Sequence, residues 1–143
     1  MMVSTRGRYA LRVMIDLAEQ GGERYVPLKE IAQRQNISEK YLESILKSLV
    51  KGGLLFGLRG KGGGYRLTQS PERCTVGSIL RLTEESLAPV ACLAPEAAPC
   101  PHVSHCRTLP MWQKLDRLVN DFFDGVTLAD LMASGPEAGD DVI

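Results

Sequence analysis

The sequence predicts a mainly α-helical fold carrying one small β-hairpin, and three observations support this. Apolar residues recur at helical spacing over residues 5–20 and again over 38–51. A glycine-rich run, Gly60-Lys61-Gly62-Gly63-Gly64, lies between two short strand-like segments. A further long amphipathic segment spans residues 108–124.

The first helix is expected over 5–20, where Tyr9, Ala10, Val13, Met14, Leu17 and Ala18 share a face and Gly21-Gly22 stops it. A short second helix follows Pro27, with Leu28, Ile31 and Ala32 as its apolar positions. Asn36-Ile37 turns the chain, and Ser38 is placed to cap a third helix that runs to Lys51. Tyr41, Leu42, Ile45, Leu46, Leu49 and Val50 form the buried stripe of that helix. Its opposite face carries Lys40, Glu43, Ser44, Lys47 and Lys51. Strands are expected over 54–59 and 65–68, with the glycine run as the tip between them. Two helices joined by a tight turn, with a hairpin appended, form a winged helix-turn-helix. Such a unit sets one helix in the major groove of DNA while the wing reaches the adjacent minor groove.

Charge agrees with a polyanion partner on one half of the molecule. The net charge is zero, yet residues 1–70 hold twelve Lys/Arg against six Asp/Glu, and residues 71–143 hold five against eleven. The glycine run does not fit a nucleotide cradle, because a phosphate loop or dinucleotide fingerprint opens a helix and this run leads into Tyr65-Arg66-Leu67-Thr68, a strand. The DNA-facing set is therefore Ser38, Lys40, Tyr41, Glu43, Ser44, Lys47, Arg59 and Lys61. Arg59 suits the strong negative potential of a narrow minor groove, and the lysines suit phosphates. Glu43 is repelled by phosphates. It either accepts from a cytosine amino group or pairs with Lys47 one turn on.

A fourth helix is expected over 75–85. The chain then changes character over 88–105, where four prolines, two cysteines and two histidines make a loop that leads into Cys106. Cys92, Cys100 and Cys106 follow the spacing C-x7-C-x5-C, without the close pairs usual for structural zinc. Spacing alone leaves an iron–sulfur cluster, zinc and redox thiols open, with His102 and His105 as further ligand candidates. Cys74 stands apart and reads as a small buried apolar residue. On the helix over 108–124, Met111, Leu115, Leu118 and Phe122 make a seam wider than one small domain needs. A second copy of the chain is the expected cover. Thr127 caps a last short helix. The expected division is a winged DNA-binding domain over 1–86, a cysteine loop over 87–107, a dimerisation helix with a short terminal helix over 108–134, and a disordered acidic tail over 135–143.

No apolar run approaches the roughly 20 residues of a membrane span, and no signal-peptide core opens the chain, so a cytoplasmic setting without membrane contact is expected. Nor is an enzyme expected. No carboxylate pair, Ser–His arrangement or C-x-x-C stands at a catalytic spacing.

The stretches TRGRYALRVMIDLA, IAQRQNISEKYLESILKSLVKGGLL, RGKGGGYRLT and VTLADLM resemble the family of winged-helix iron–sulfur and stress regulators that includes IscR, NsrR, RirA and CymR. The resemblance covers residues 2–132. It implies a homodimer that binds promoter DNA and carries its long dimerisation helix after the cysteine loop. Cluster-binding members use three loop cysteines, matched here by Cys92, Cys100 and Cys106, and the sulfur-metabolism branch lacks them. The implied cofactor is an iron–sulfur cluster, [2Fe–2S] favoured over [4Fe–4S], that senses cluster status or redox and nitrosative stress. The alternative is a cluster-free regulator of cysteine or sulfur metabolism, working through a partner protein or a thiol switch. Two departures bear on the ligands. The gap from Cys92 to Cys100 is longer than usual in the cluster branch, and the fourth-ligand histidine and aspartate of relatives correspond to Leu109 and Arg8. His105, His102 or an exogenous group is left for the fourth position.

Overall fold

The computed structural model describes residues 2–135. Helix α1 (Thr5–Gln20) opens at Ser4, whose hydroxyl accepts the Gly7 N–H at 3.1 Å, and buries Ala10, Val13, Met14 and Leu17. Helix α2 (Leu28–Gln35) follows Pro27 and ends at Asn36, which takes the left-handed conformation (φ 54°) that asparagine tolerates. Ser38 then caps helix α3 (Glu39–Lys51) by accepting the Tyr41 N–H at 3.2 Å. Leu42, Ile45, Leu46 and Leu49 drive the inner face of α3 into the core against α1 and α2. Asp16 is the buried charge of this core. Arg34 of α2 grips both its carboxylate oxygens, and Gln35 donates a further bond at 2.8 Å, so the burial is compensated.

The hairpin is shorter than expected at its start. Strand β1 (Leu55–Leu58) pairs antiparallel with β2 (Gly64–Leu67), with Leu55 opposite Leu67 and Leu58 opposite Gly64. Leu54 and Thr68 fall outside the strands, though the Thr68 N–H still donates to the Leu54 carbonyl at 3.1 Å. Val26 adds a third, single-residue rung, exchanging both backbone hydrogen bonds with Tyr65 at 2.9 Å. Gly64 permits this close approach. Its φ is +147°, and a Cβ there would strike the Val26 carbonyl. Gly64→Ala is accordingly expected to lower stability by about 2 kcal/mol, from backbone strain and the displaced rung, measured as a lower urea midpoint.

Helix α4 (Val76–Thr83) is shorter than the expected 75–85, because Thr75 is its cap and Glu84 leaves helical geometry to bind the Ser4 N–H and hydroxyl. The cysteine segment is irregular apart from short 3-10 turns at Ala91–Leu93 and Val103–His105. Helix α5 (Leu109–Gly125) follows, with Pro110 in its first turn, where a missing N–H is harmless. Helix α6 (Leu128–Ala133) starts with a reciprocal cap between Thr127 and Asp130. Residues 126 and 128 bond back to the α4 entrance through Val76 N–H to the Val126 carbonyl (2.8 Å) and Leu128 N–H to the Cys74 carbonyl (2.9 Å). Beyond Gly135, the expected acidic tail lies outside the described residues. No helix among the described residues is long and apolar enough to cross a membrane.

Candidate nucleic-acid interface and cysteine pocket

Helix α3 and the wing face each other across an open groove of about 580 Å³, lined by Glu43, Lys47, Lys51, Leu58, Arg59 and Tyr65. Of the expected DNA-facing residues, Ser38, Lys40, Glu43, Ser44, Lys47, Arg59 and Lys61 are exposed and Tyr41 is half-buried. Among the described residues the ion pairs are Arg24–Glu30, Arg34–Asp16, Arg34–Glu30 and Arg81–Asp124, so Glu43 and Lys47 are not bonded to each other. Glu43 acts across the groove instead. Burial chiefly raises the Tyr65 phenol above its ordinary range, the Glu43 carboxylate adds to this, and Arg59 opposes it.

Three of the eight also hold contacts within the protein. Ser38 spends its hydroxyl on the α3 cap. Tyr41 is half-buried, its ring edge-on to Tyr9 at 5.9 Å. Ser44 accepts from Arg6, whose guanidinium reaches the Ser44 hydroxyl (2.9 Å), the Ser44 carbonyl (3.0 Å) and the Ser48 hydroxyl (2.8 Å). Arg6 thus adds a cation to the flank of α3 that sequence spacing could not place there, 38 positions away from Ser44. Arg59→Ala should weaken binding to a specific operator by about 1–3 kcal/mol, the worth of a good groove contact. Mobility-shift titration at fixed salt measures it, and an unchanged affinity would take Arg59 out of the interface.

The cysteine segment forms a second feature, lined by residues none of which line the groove. Cys92, Cys100 and Cys106 converge on one pocket of about 240 Å³, whose walls also include Val103, Leu109 and Gln113. Cys92 is exposed, while Cys100 and Cys106 are half-buried. Cys106 sits just before α5. The Thr108 hydroxyl, 3.6 Å from Sγ, and the backbone N–H groups of Thr108 and Leu109 hold its thiol below the ordinary range and favour the thiolate. Among the described residues no three His, Cys, Asp or Glu side chains crowd closely enough to hold a single metal ion. His102 and His105 are not on the pocket wall. Their rings stack edge-on at 5.6 Å, and the Ser104 hydroxyl lies 3.1 Å from His105 Nδ1. Cys74 is 1% exposed, and burial pushes its thiol up, as suits a core residue.

Helix α5 shows two faces. Phe123 packs toward the Val76, Leu80, Leu87 and Val126 cluster, and Arg81 of α4 holds Asp124 (2.6 Å) and Asn120 (2.7 Å). The other face leaves Met111 54%, Leu115 39%, Leu118 58% and Phe122 56% exposed, an apolar stripe that the described residues do not cover.

The family model for Rrf2, described as an iron-dependent transcriptional regulator, matches residues 3–134. The chain belongs to the Rrf2 family. It is 38% identical over 132 residues to the HTH-type transcriptional regulator IscR of Aliivibrio salmonicida, an alignment spanning 92% of this chain and 77% of that protein. Among solved structures it is similar to CymR, the global cysteine regulator of B. subtilis (TM-score 0.73, 38% identity, 93% of this chain and 97% of that one). It is also similar to T. potens IscR (TM-score 0.72, 36% identity, 97% of this chain and 91% of that one). This Rrf2 protein is therefore a winged-helix, DNA-binding transcriptional regulator and not an enzyme.

Proposed function

We propose that this regulator binds double-stranded promoter DNA as a homodimer and reports the state of an iron–sulfur cluster held by Cys92, Cys100 and Cys106. The observation that carries the reading is the convergence of these three thiols on one pocket at the N-terminus of α5. The donor set fits such a group. Thiolates are the usual cluster ligands, and Cys106 is already biased toward the thiolate. The C-x7-C-x5-C spacing lacks the close cysteine pairs usual for structural zinc, which suits a polynuclear cluster better. A [2Fe–2S] cluster is the favoured form. When bound, it supplies iron and sulfide that respond to oxidants, nitric oxide and iron supply.

The protein's own elements give the pocket a route to the DNA surface. Cys106 adjoins the first turn of α5, α5 is tied to α4 by Arg81, Asn120 and Asp124, and α4 packs on both α1 and α3. A shift of the loop would tilt α5, re-space two recognition helices across the dimer, and change the fit to two operator half-sites. The Met111–Leu115–Leu118–Phe122 stripe supplies the apolar surface for that dimer.

The likeness to CymR supports a second reading, a cluster-free regulator whose favoured Cys106 thiolate is a redox switch. Anaerobic purification separates the two. A brown protein with visible absorption, iron and acid-labile sulfide supports the cluster. A colourless, iron-free protein that binds its promoter and loses binding on mild oxidation supports the thiol switch and overturns the cluster reading.

A further inference from the structure

We infer that Gln113 supplies the fourth protein ligand in the cysteine pocket, a neutral amide oxygen on the iron that lacks a thiolate partner. The inference rests on the cluster reading above. Three thiols leave one coordination position unfilled, and among the described residues the pocket wall holds one further side chain with an oxygen or nitrogen donor. That side chain is Gln113. Leu109 and Gln113 are one helical turn apart on α5, so both project on the same face, and both line the pocket. At Leu109 the wall offers only hydrocarbon. The residue one turn on carries an amide.

The two histidines, the stronger candidates from spacing alone, are arranged differently. His102 and His105 belong to the short turn around Val103–His105 and stack against each other off the pocket wall, with His105 Nδ1 engaged near the Ser104 hydroxyl. Ligation by either would require that turn to reorganise. Gln113 already stands on the pocket wall, on a regular helix.

An amide oxygen is a weak, uncharged donor. Replacing a thiolate by a neutral ligand removes one negative charge from the site, which raises the reduction potential, as two histidines do in Rieske centres. The weak bond also leaves one iron as the preferred point of attack by an oxidant or chelator. Both consequences suit a sensor better than an electron carrier.

The test uses the full chain reconstituted anaerobically with ferrous iron and sulfide. Wild type, Gln113→Leu, Gln113→His and the His102→Ala/His105→Ala double variant are compared. Gln113 is exposed, so these changes leave the fold intact, and circular dichroism verifies it. Gln113→Leu should take up the same iron and sulfide, yet lose its cluster to a chelator about tenfold faster, the scale of effect seen when a metal site loses a supporting group. Gln113→His should slow that loss and introduce a histidine nitrogen coupling in the pulsed EPR spectrum of the reduced cluster. The double histidine variant should match wild type in lifetime and spectrum. If Gln113→Leu matches wild type, or if the histidine variant is the labile one, the Gln113 assignment is overturned while the three-thiolate cluster stands. If wild type itself takes up no iron and sulfide, the cluster reading falls and this assignment with it.

Discussion

Leu118→Glu is expected to leave a monomer or an aggregate in place of a dimer. Leu118 lies in the middle of the apolar stripe and is its most exposed member at 58%, so in the isolated chain a glutamate there is simply solvated. In a two-fold interface the same residue meets its own neighbourhood on the partner helix, so each dimer would bury two carboxylates with no cation opposite. An unpaired buried charge costs several kcal/mol, and each apolar side chain lost from full burial removes about 1.5–3 kcal/mol. The substitution should therefore abolish dimerisation at micromolar concentration while the winged unit keeps its own core. Light scattering reads the mass, and operator affinity should fall with it, because one half-site alone provides roughly half the contacts. A stable dimer would mean that another surface makes the interface.

The elements that came through most clearly from sequence are those with local punctuation. Ser4, Ser38, Thr75 and Thr127 each cap the helix that follows them, and Gly21, Asn36 and Gly52 stand where the first three helices stop. What spacing could not show depends on contacts between distant residues. The Val26 rung on Tyr65 is a single pair with no strand pattern of its own. The early end of α4 follows from Glu84 reaching back 80 positions to Ser4. The Arg6 grip on the exposed Ser44 and the Tyr9–Tyr41 contact likewise join residues far apart in sequence.

The candidate sites divide in the same way. The wing cations and the exposed lysines of α3 stand where helical and hairpin periodicity places them. Glu43 was legible as a charge on the α3 surface, but not as a group acting on Tyr65 across the groove, since that requires the hairpin to fold back over the helix. In the cysteine segment, spacing identified the thiols, yet a loop without periodicity says nothing about which side chains close the pocket. The one available signal was helical. Once α5 starts directly after Cys106, residues at Leu109 and one turn later must share the face beside it.

Alanine at any one of Cys92, Cys100 or Cys106 is expected to abolish cluster reconstitution, and Cys74→Ala is expected to leave it intact. The difference follows from position and ionisation. The three loop thiols share one pocket wall, and removal of any one leaves two thiolates for a group that the protein already holds with fewer than four. Cys74 is buried under the α4 entrance, where its carbonyl bonds the Leu128 N–H and its thiol is pushed toward the neutral form that does not bind metal. Its loss removes a small apolar side chain and lowers stability by about 1 kcal/mol without touching the pocket. Iron and sulfide analysis after anaerobic reconstitution measures all four variants. Cys100→Ala is the most discriminating, because Cys100 lies between the two long gaps of the loop. Full iron and sulfide content in that variant would show that Cys100 is not a ligand and that the three-thiolate site is wrong.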